Sequence, residues 1–273
     1  MADYQFAYLT STTHPGFLNA PPLAARPDAD VVVAGIGWDG ATTNRPGARL
    51  GPSSIRRVSH MLGAGSHPLF NVSPADILAD IGDLPVPNTS LSDMRVALQP
   101  LAAALLARHH MVWLGGDHSI TLPLLRAYRA QLGRPLALVH FDAHCDTWPD
   151  HSGELSGHGT WLREAIDEDL VDPRLTVQFG IRSPADRETR EYVRERGGSI
   201  YTGRDLRGLT SAEQLREVCA TVRARFASAA DTPVYLSLDI DCLDPAYDHA
   251  ELTSNAAAPL VWAYLCGRMA PRK

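Results

Sequence analysis

Apolar and polar positions alternate along the chain in blocks: short continuous runs of valine, isoleucine and leucine, separated by stretches with apolar residues three and four apart. The runs are DVVVAGIG from Asp30, MVWLGG from Met111, LALVHFD from Leu136, TVQFGI from Thr176 and VYLSLDID from Val234. Runs that are apolar at nearly every position predict strands buried on both faces, as in a parallel sheet covered by helices. The stretches between them predict those helices. MRVALQPLAAALLARHH follows a start at Ser92 or Asp93, with Pro100 expected to kink it or mark its true beginning. SAEQLREVCATVRARFASAA opens on Ser211 with Gln214 three residues on, a capping-box pattern. The fold class is therefore α/β. No internal repeat or long linker appears, so one domain is the simpler organisation.

Composition narrows the partners. The 273 residues are 45% hydrophobic and 21% charged, as in a soluble globular domain. Lys and Arg total 25 against 31 Asp and Glu, a net charge of -6, which argues against nucleic acid or an anionic membrane as a partner and suits a cationic small molecule. No run is long enough to span a membrane and the N-terminal residues lack a basic-then-apolar secretory pattern, so a cytoplasmic location is expected. Cys145, Cys219, Cys242 and Cys266 form no CxxC pair and read as free buried thiols.

The strand ends carry the candidate chemistry, since ligands of open α/β sheets gather there. MVWL runs into Gly115, Gly116, Asp117, His118 and Ser119. LALVHF runs into Asp142, Ala143, His144, Cys145 and Asp146, and in an extended segment alternate side chains share a side, so Asp142, His144 and Asp146 converge. VYLSL ends in Asp239, Ile240 and Asp241, two carboxylates on one side of a buried strand end. Such carboxylates repel one another unless a cation sits between them. Six ligands of this charge would crowd one metal, whereas two metals sharing carboxylates neutralise them. The set is oxygen-rich and free of thiolates, which favours Mn²⁺, with Ni²⁺, Co²⁺ or Fe²⁺ as competitors. Two divalent ions lower the pKa of a bridging water for attack on an electrophilic carbon, which points to hydrolysis.

GGDHS, DAHCD and SLDIDCLDP, together with NRPGARLGP from Asn44, SGHGT from Ser156 and VQFGIRSP from Val177, resemble the signatures of the ureohydrolase family, the arginase and agmatinase group, from about Asp30 to Tyr247. The resemblance implies a three-layer α/β/α sandwich around a parallel central sheet, assembled as homo-trimers or homo-hexamers. It implies two Mn²⁺ per chain: His118 and Asp146 on one, His144 and Asp241 on the other, Asp142 and Asp239 bridging. His158 aligns with the family's proton-shuttling histidine, so His158 and Asp146 are the expected catalytic residues. The substrate implied is a small guanidino compound. Trp148 stands where arginase has a small polar residue that helps to bind the amino-acid head, so the resemblance leans to agmatinase, with Trp148 expected to pack on an aliphatic stem or a cation.

Guanidinobutyrate or another guanidino acid is the alternative substrate. A non-catalytic family member serving as a structural subunit, and a one-zinc deacylase of the histone-deacetylase type, are the alternatives of other classes. After Tyr247 the family pattern is lost. The expectation is a ureohydrolase domain over 1–247, incomplete at its C-terminal end and lacking its last strand and helix, followed by an atypical tail over 248–273. The tail's APLVWAYLCGRMA is expected to form a short helix that needs a surface to cover.

Overall fold

The computed structural model describes residues 16–62, 66–150, 152–243 and 250–269, with side chains of the last segment described from 254 onward. In chain order its principal elements are β1 (Val31–Ile36), α1 (Gly51–Ser59), β2 (Leu78–Asp83), α2 (Leu91–Leu106), β3 (His110–Gly115), α3 (Thr121–Leu132), β4 (Leu136–Phe141) and α4 (Trp161–Asp167). They continue with β5 (Val171–Ile181), α5 (Arg187–Glu195), β6 (Ser199–Thr202), α6 (Gly203–Leu206), α7 (Ala212–Ala227), β7 (Val234–Leu238) and α8 (Ala250–Met269). The α/β class with parallel pairing is as the apolar runs predict. The chain divides into two compact units, one of Met1–Ile120 with His249–Lys273, the other of Thr121–Asp248. The boundary expected at Tyr247 lies outside the described residues. Among the described residues no helix is long and apolar enough to cross a membrane.

The first unit holds the sheet β2-β1-β3. β1 is buried at every position, as its continuous apolar run requires. β2 (LADIGD) was not legible as a strand because two aspartates interrupt it. Arg56 of α1 explains how they are buried: its Nε and Nη2 donate to the two oxygens of Asp80 at 2.8 and 2.9 Å, and its Nη1 to Asp83 at 2.5 Å. Ser90 caps α2 by accepting from the Asp93 N–H, two or three residues before the expected start, and the helix continues through Pro100.

The tail is longer in helix than its apolar stretch suggested, and it finds its surface in this unit. Ser254, Ala257, Ala258, Leu265 and Cys266 are buried, with Val261 and Trp262 beside them, a stripe at helical spacing. Ala258 and Leu265 join Phe17, Val31, Val33 and Leu78 in one cluster. Trp262 packs edge-on to the His67 ring, and Tyr264 meets His110 Nε2 at 2.8 Å.

The second unit holds the sheet β6-β5-β4-β7. Its core joins Leu136 and Leu138 of β4 to Leu122 and Leu125 of α3, and to Trp161 and Leu162 of α4. Ser211 and Gln214 form the expected capping box at the start of α7. β7 departs from expectation: Tyr235 and Ser237 turn inward, but Val234, Leu236 and Leu238 are exposed at 49, 44 and 39%. Its one ladder partner among the described residues is β4, and an uncharged apolar edge of this kind is a template for self-association. Leu236→Lys is expected to reduce concentration-dependent aggregation of the purified chain in light scattering, without lowering its melting temperature. An unchanged aggregation threshold would remove the edge as its cause.

Candidate metal centre

Two strand ends of the second unit meet through backbone bonds. The Asp239 N–H, just past β7, donates to Phe141 O of β4 at 2.8 Å, and the Asp142 N–H donates to Phe179 O of β5 at 3.0 Å. β5 bulges at Gly180, whose φ of 94° is left-handed. A Cβ there would come within 2.9 Å of Asp142 O, so the chain passes this close only as glycine.

Asp142, 1% exposed, is the hub. Asp142, His144 and Asp241 each offer a ligand atom within 4.8 Å of the others, and so do His140, Asp142 and Asp146. Convergence of Asp142, His144 and Asp146 was expected from an extended segment, but the chain bends instead. The His144 N–H folds back to Asp142 Oδ1 at 2.6 Å, and Asp146 adopts a left-handed φ of 54°. Trp161 holds Asp146 in that place, its Nε1–H donating to Oδ2 at 2.6 Å. His144 Nδ1 lies 2.9 Å from Asp241 Oδ2 and 3.4 Å from Asp142 Oδ1. Asp241 Oδ1 accepts from the Ala143 N–H at 2.9 Å. Asp239 belongs to neither group and accepts the Asp241 N–H on Oδ1 at 3.0 Å. His118 lies in the first unit, on the 3-10 turn His118–Ile120 after β3. The Asp117 N–H in that turn donates to Trp38 O at 2.7 Å.

Three contributors were not singled out by the sequence reading. His140 sits two residues before Asp142, and the alternation rule carried one step back would have included it. Gln178 faces His140 across the β4–β5 ladder, which no local pattern discloses. Arg182 donates to the carbonyls of Asp241 (2.5 Å), Cys242 (3.2 Å) and Leu243 (2.8 Å), clamping the turn that carries Asp241.

Trp148 is half-buried against the core of its unit, its ring centroid 6.4 Å from that of His144. Its backbone N–H donates to Gly159 O at 3.1 Å, which ties the loop carrying His158 to Trp148. On the other side of His158, the Gly157 N–H donates to Thr160 Oγ1.

The charges fit a cation. Burial pushes Asp241 up, and Asp239 and Asp142 add to the push, against the bond from His144. Bonds to Asp142 and then Asp241 push His144 up to about 11, so its imidazolium neutralises the carboxylates. Burial, then Asp239, Asp241 and Asp142, push the Cys242 thiol up to about 12, and burial in the core raises Cys145; neither belongs to either donor group. Cys266 is buried as expected, but Cys219 is exposed on α7. The donors left are carboxylates and imidazoles, a set suited to a hard or borderline divalent ion.

The sign of the pH dependence follows. His144, raised in the folded state, contributes stability that is full below its ordinary value of 6.5 and lost as pH rises through about 11. A divalent ion that took His144 as a ligand would have to displace that proton. Mn²⁺ affinity is therefore expected to rise about tenfold per pH unit across the neutral range, with one proton released on binding. Calorimetric titration with Mn²⁺ alone between about pH 6 and 8, in buffers of different ionisation heat, checks this, and a flat dependence would contradict it.

Known proteins resemble this chain over most of its length. Residues 29–265 match the family model described as Arginase family, which runs past Tyr247, where the motif resemblance ends. The agmatinase of Photorhabdus laumondii is 39% identical over 234 residues, covering 84% of this chain and 70% of that protein. The structure of a hypothetical agmatinase from Burkholderia thailandensis superimposes with a TM-score of 0.79 at 31% identity, over 94% of this chain and 91% of that one. That of proclavaminate amidino hydrolase from Streptomyces clavuligerus gives 0.78 at 30%, over 93% and 98%.

Proposed function

The chain belongs to the arginase family, and from that premise we propose that it is a metal-dependent hydrolase that cleaves a guanidino C–N bond and releases urea, with agmatine, giving putrescine, as its substrate. The observation that carries this reading is one buried carboxylate, Asp142, that shares a donor group with Asp146 and another with His144 and Asp241. Asp142, His144, Asp146 and Asp241 would hold the ions. His118 and Asp239 complete the set of six on the strength of the motif resemblance. Two divalent ions, Mn²⁺ by the donor set, supply Lewis acidity and an activated water when bound. The chain's own residues bind and orient the guanidino group and return a proton to the departing amine, the task we give to His158.

Trp148 supports agmatine over an amino-acid substrate: an indole beside His144 packs on an aliphatic stem or a cation and does not copy the hydrogen bonding of the small polar residue that arginase has there. The similarity to relatives named agmatinase points the same way. A guanidino acid is the second reading, favoured by the likeness to proclavaminate amidino hydrolase. The remaining expectations, a cytoplasmic homo-trimer or homo-hexamer that binds neither nucleic acid nor membrane, go with the family resemblance and the net charge of -6.

Urea release from the purified chain with added Mn²⁺, tested on agmatine, arginine and guanidinobutyrate, decides among these. Agmatine is expected to be fastest. No urea from any of them, despite bound metal, would favour a non-catalytic subunit. His158→Ala is expected to keep the parent's metal content while turnover falls by about 10²–10⁴. A variant as fast as the parent would return His158 to a loop residue.

A further inference from the structure

We infer that His140 is a positioning residue for Asp142, with its tautomer fixed by Gln178, and that it is not itself a metal ligand; the inference rests on the metal reading of Asp142 given above. His140 Nε2 lies 2.8 Å from Asp142 Oδ2, and the amide nitrogen of Gln178 lies 3.1 Å from His140 Nδ1. The same amide nitrogen is 2.9 Å from Cys145 O. A backbone carbonyl only accepts, so Gln178 must present its NH₂ to Cys145. That leaves its second N–H to face His140 Nδ1, which must then accept. The proton of the ring is on Nε2 and is donated to the Asp142 carboxylate.

Both ring nitrogens are thereby engaged by protein. His140, Asp142 and Gln178 are almost fully buried, which sharpens the directionality of each bond. The arrangement is anchored from three sides. His140 and Gln178 are register partners on β4 and β5, so the ladder sets their separation. The Trp161 ring packs edge-on to His140 with centroids 5.1 Å apart, while its indole N–H holds Asp146. Cys145 lies between His144 and Asp146, so the carbonyl that orients Gln178 belongs to the segment carrying the proposed ligands. With His140 on Oδ2, and His144 N–H on Oδ1, the carboxylate of Asp142 is held in one rotation. Outer partners of this kind set metal affinity by about 10–100-fold.

The test begins with the metal-free parent chain labelled with ¹⁵N-histidine. The His140 signals, identified by their loss in His140→Gln, are expected to show the proton on Nε2 and none on Nδ1. A proton on Nδ1 would overturn the inference whatever the variants do. Titration with Mn²⁺ alone is the second readout. Gln178→Leu, close in volume, is expected to mix the tautomers and weaken Mn²⁺ binding by about tenfold or more. His140→Leu is expected to lose at least as much, and His140→Gln, whose amide still donates, to recover most of it. A His140→Leu chain that binds Mn²⁺ like the parent would refute the positioning role alone. A parent that binds no Mn²⁺ would instead remove the metal reading of Asp142, and this inference with it.

Discussion

Asp142→Asn is expected to leave a folded chain that no longer retains divalent ions. The substitution is nearly isosteric and its amide oxygen can still accept from one of the two donors that hold Asp142, His140 Nε2–H or the His144 N–H, so circular dichroism should match the parent. What is lost is the one carboxylate common to both donor groups. Losing a shared ligand must exceed the 10–100-fold that an outer partner costs, so Mn²⁺ affinity should fall by more than about 100-fold, and urea release with it. A second signature is independent of metal. The bond to Asp142 is the leading cause of the raised pKa of His144, so in the metal-free variant that value should drop from about 11 toward its ordinary 6.5, as read from its NMR titration. Two retained ions, or a His144 that titrates as in the parent, would show that Asp142 is not the hub.

The largest effect on stability is expected from Arg56→Ala. Arg56 and Asp80 side chains are 9 and 3% exposed, and Asp80 also accepts from the N–H groups of Phe17 and Gly82, both at 2.8 Å. Removing the guanidinium strands a buried carboxylate on β2, for a loss of about 3–5 kcal/mol. Urea denaturation measures it directly. Arg56→Lys should recover only part, because an ammonium cannot bond both Asp80 oxygens in a fixed fork. The double variant Arg56→Met with Asp80→Leu should recover part of the loss, since no buried charge is left unpaired on that strand, but not all of it, because the Phe17 and Gly82 N–H groups lose their acceptor. A loss below about 1 kcal/mol in Arg56→Ala would mean that water reaches Asp80 freely.

These two cases mark what was legible in the sequence. Asp142, His144 and Asp241 could be picked out because local spacing after an apolar run carries them. The bend that brings Asp146 to Asp142 could not, because it depends on Trp161, fifteen residues further on. Gln178 and Arg182 act through strand register and through a turn some sixty residues away, so no window of sequence contains their partners. β2 was missed for the same reason: its aspartates read as surface until Arg56 is placed against them. β6 (SIYT), with four residues, was too short to announce itself. The apolar face of the tail was visible, but the surface it covers is assembled from residues near the other end of the chain.

That last contact has a consequence for the order of events during synthesis. The second unit is one continuous stretch, Thr121–Asp248, and is complete in sequence once its last residue has left the ribosome. The first unit is split, with His249–Lys273 as its final piece. Cys266 reaches Val72 across 194 residues, and Tyr264 reaches His110 across 154. Until α8 emerges, Val31, Val33, Leu78 and Leu114 lack the cover that Ala258 and Leu265 give them. The apolar surface that Ala258 and Leu265 cover is therefore left open while the residues between Leu114 and α8 are made, a surface for chaperones to hold.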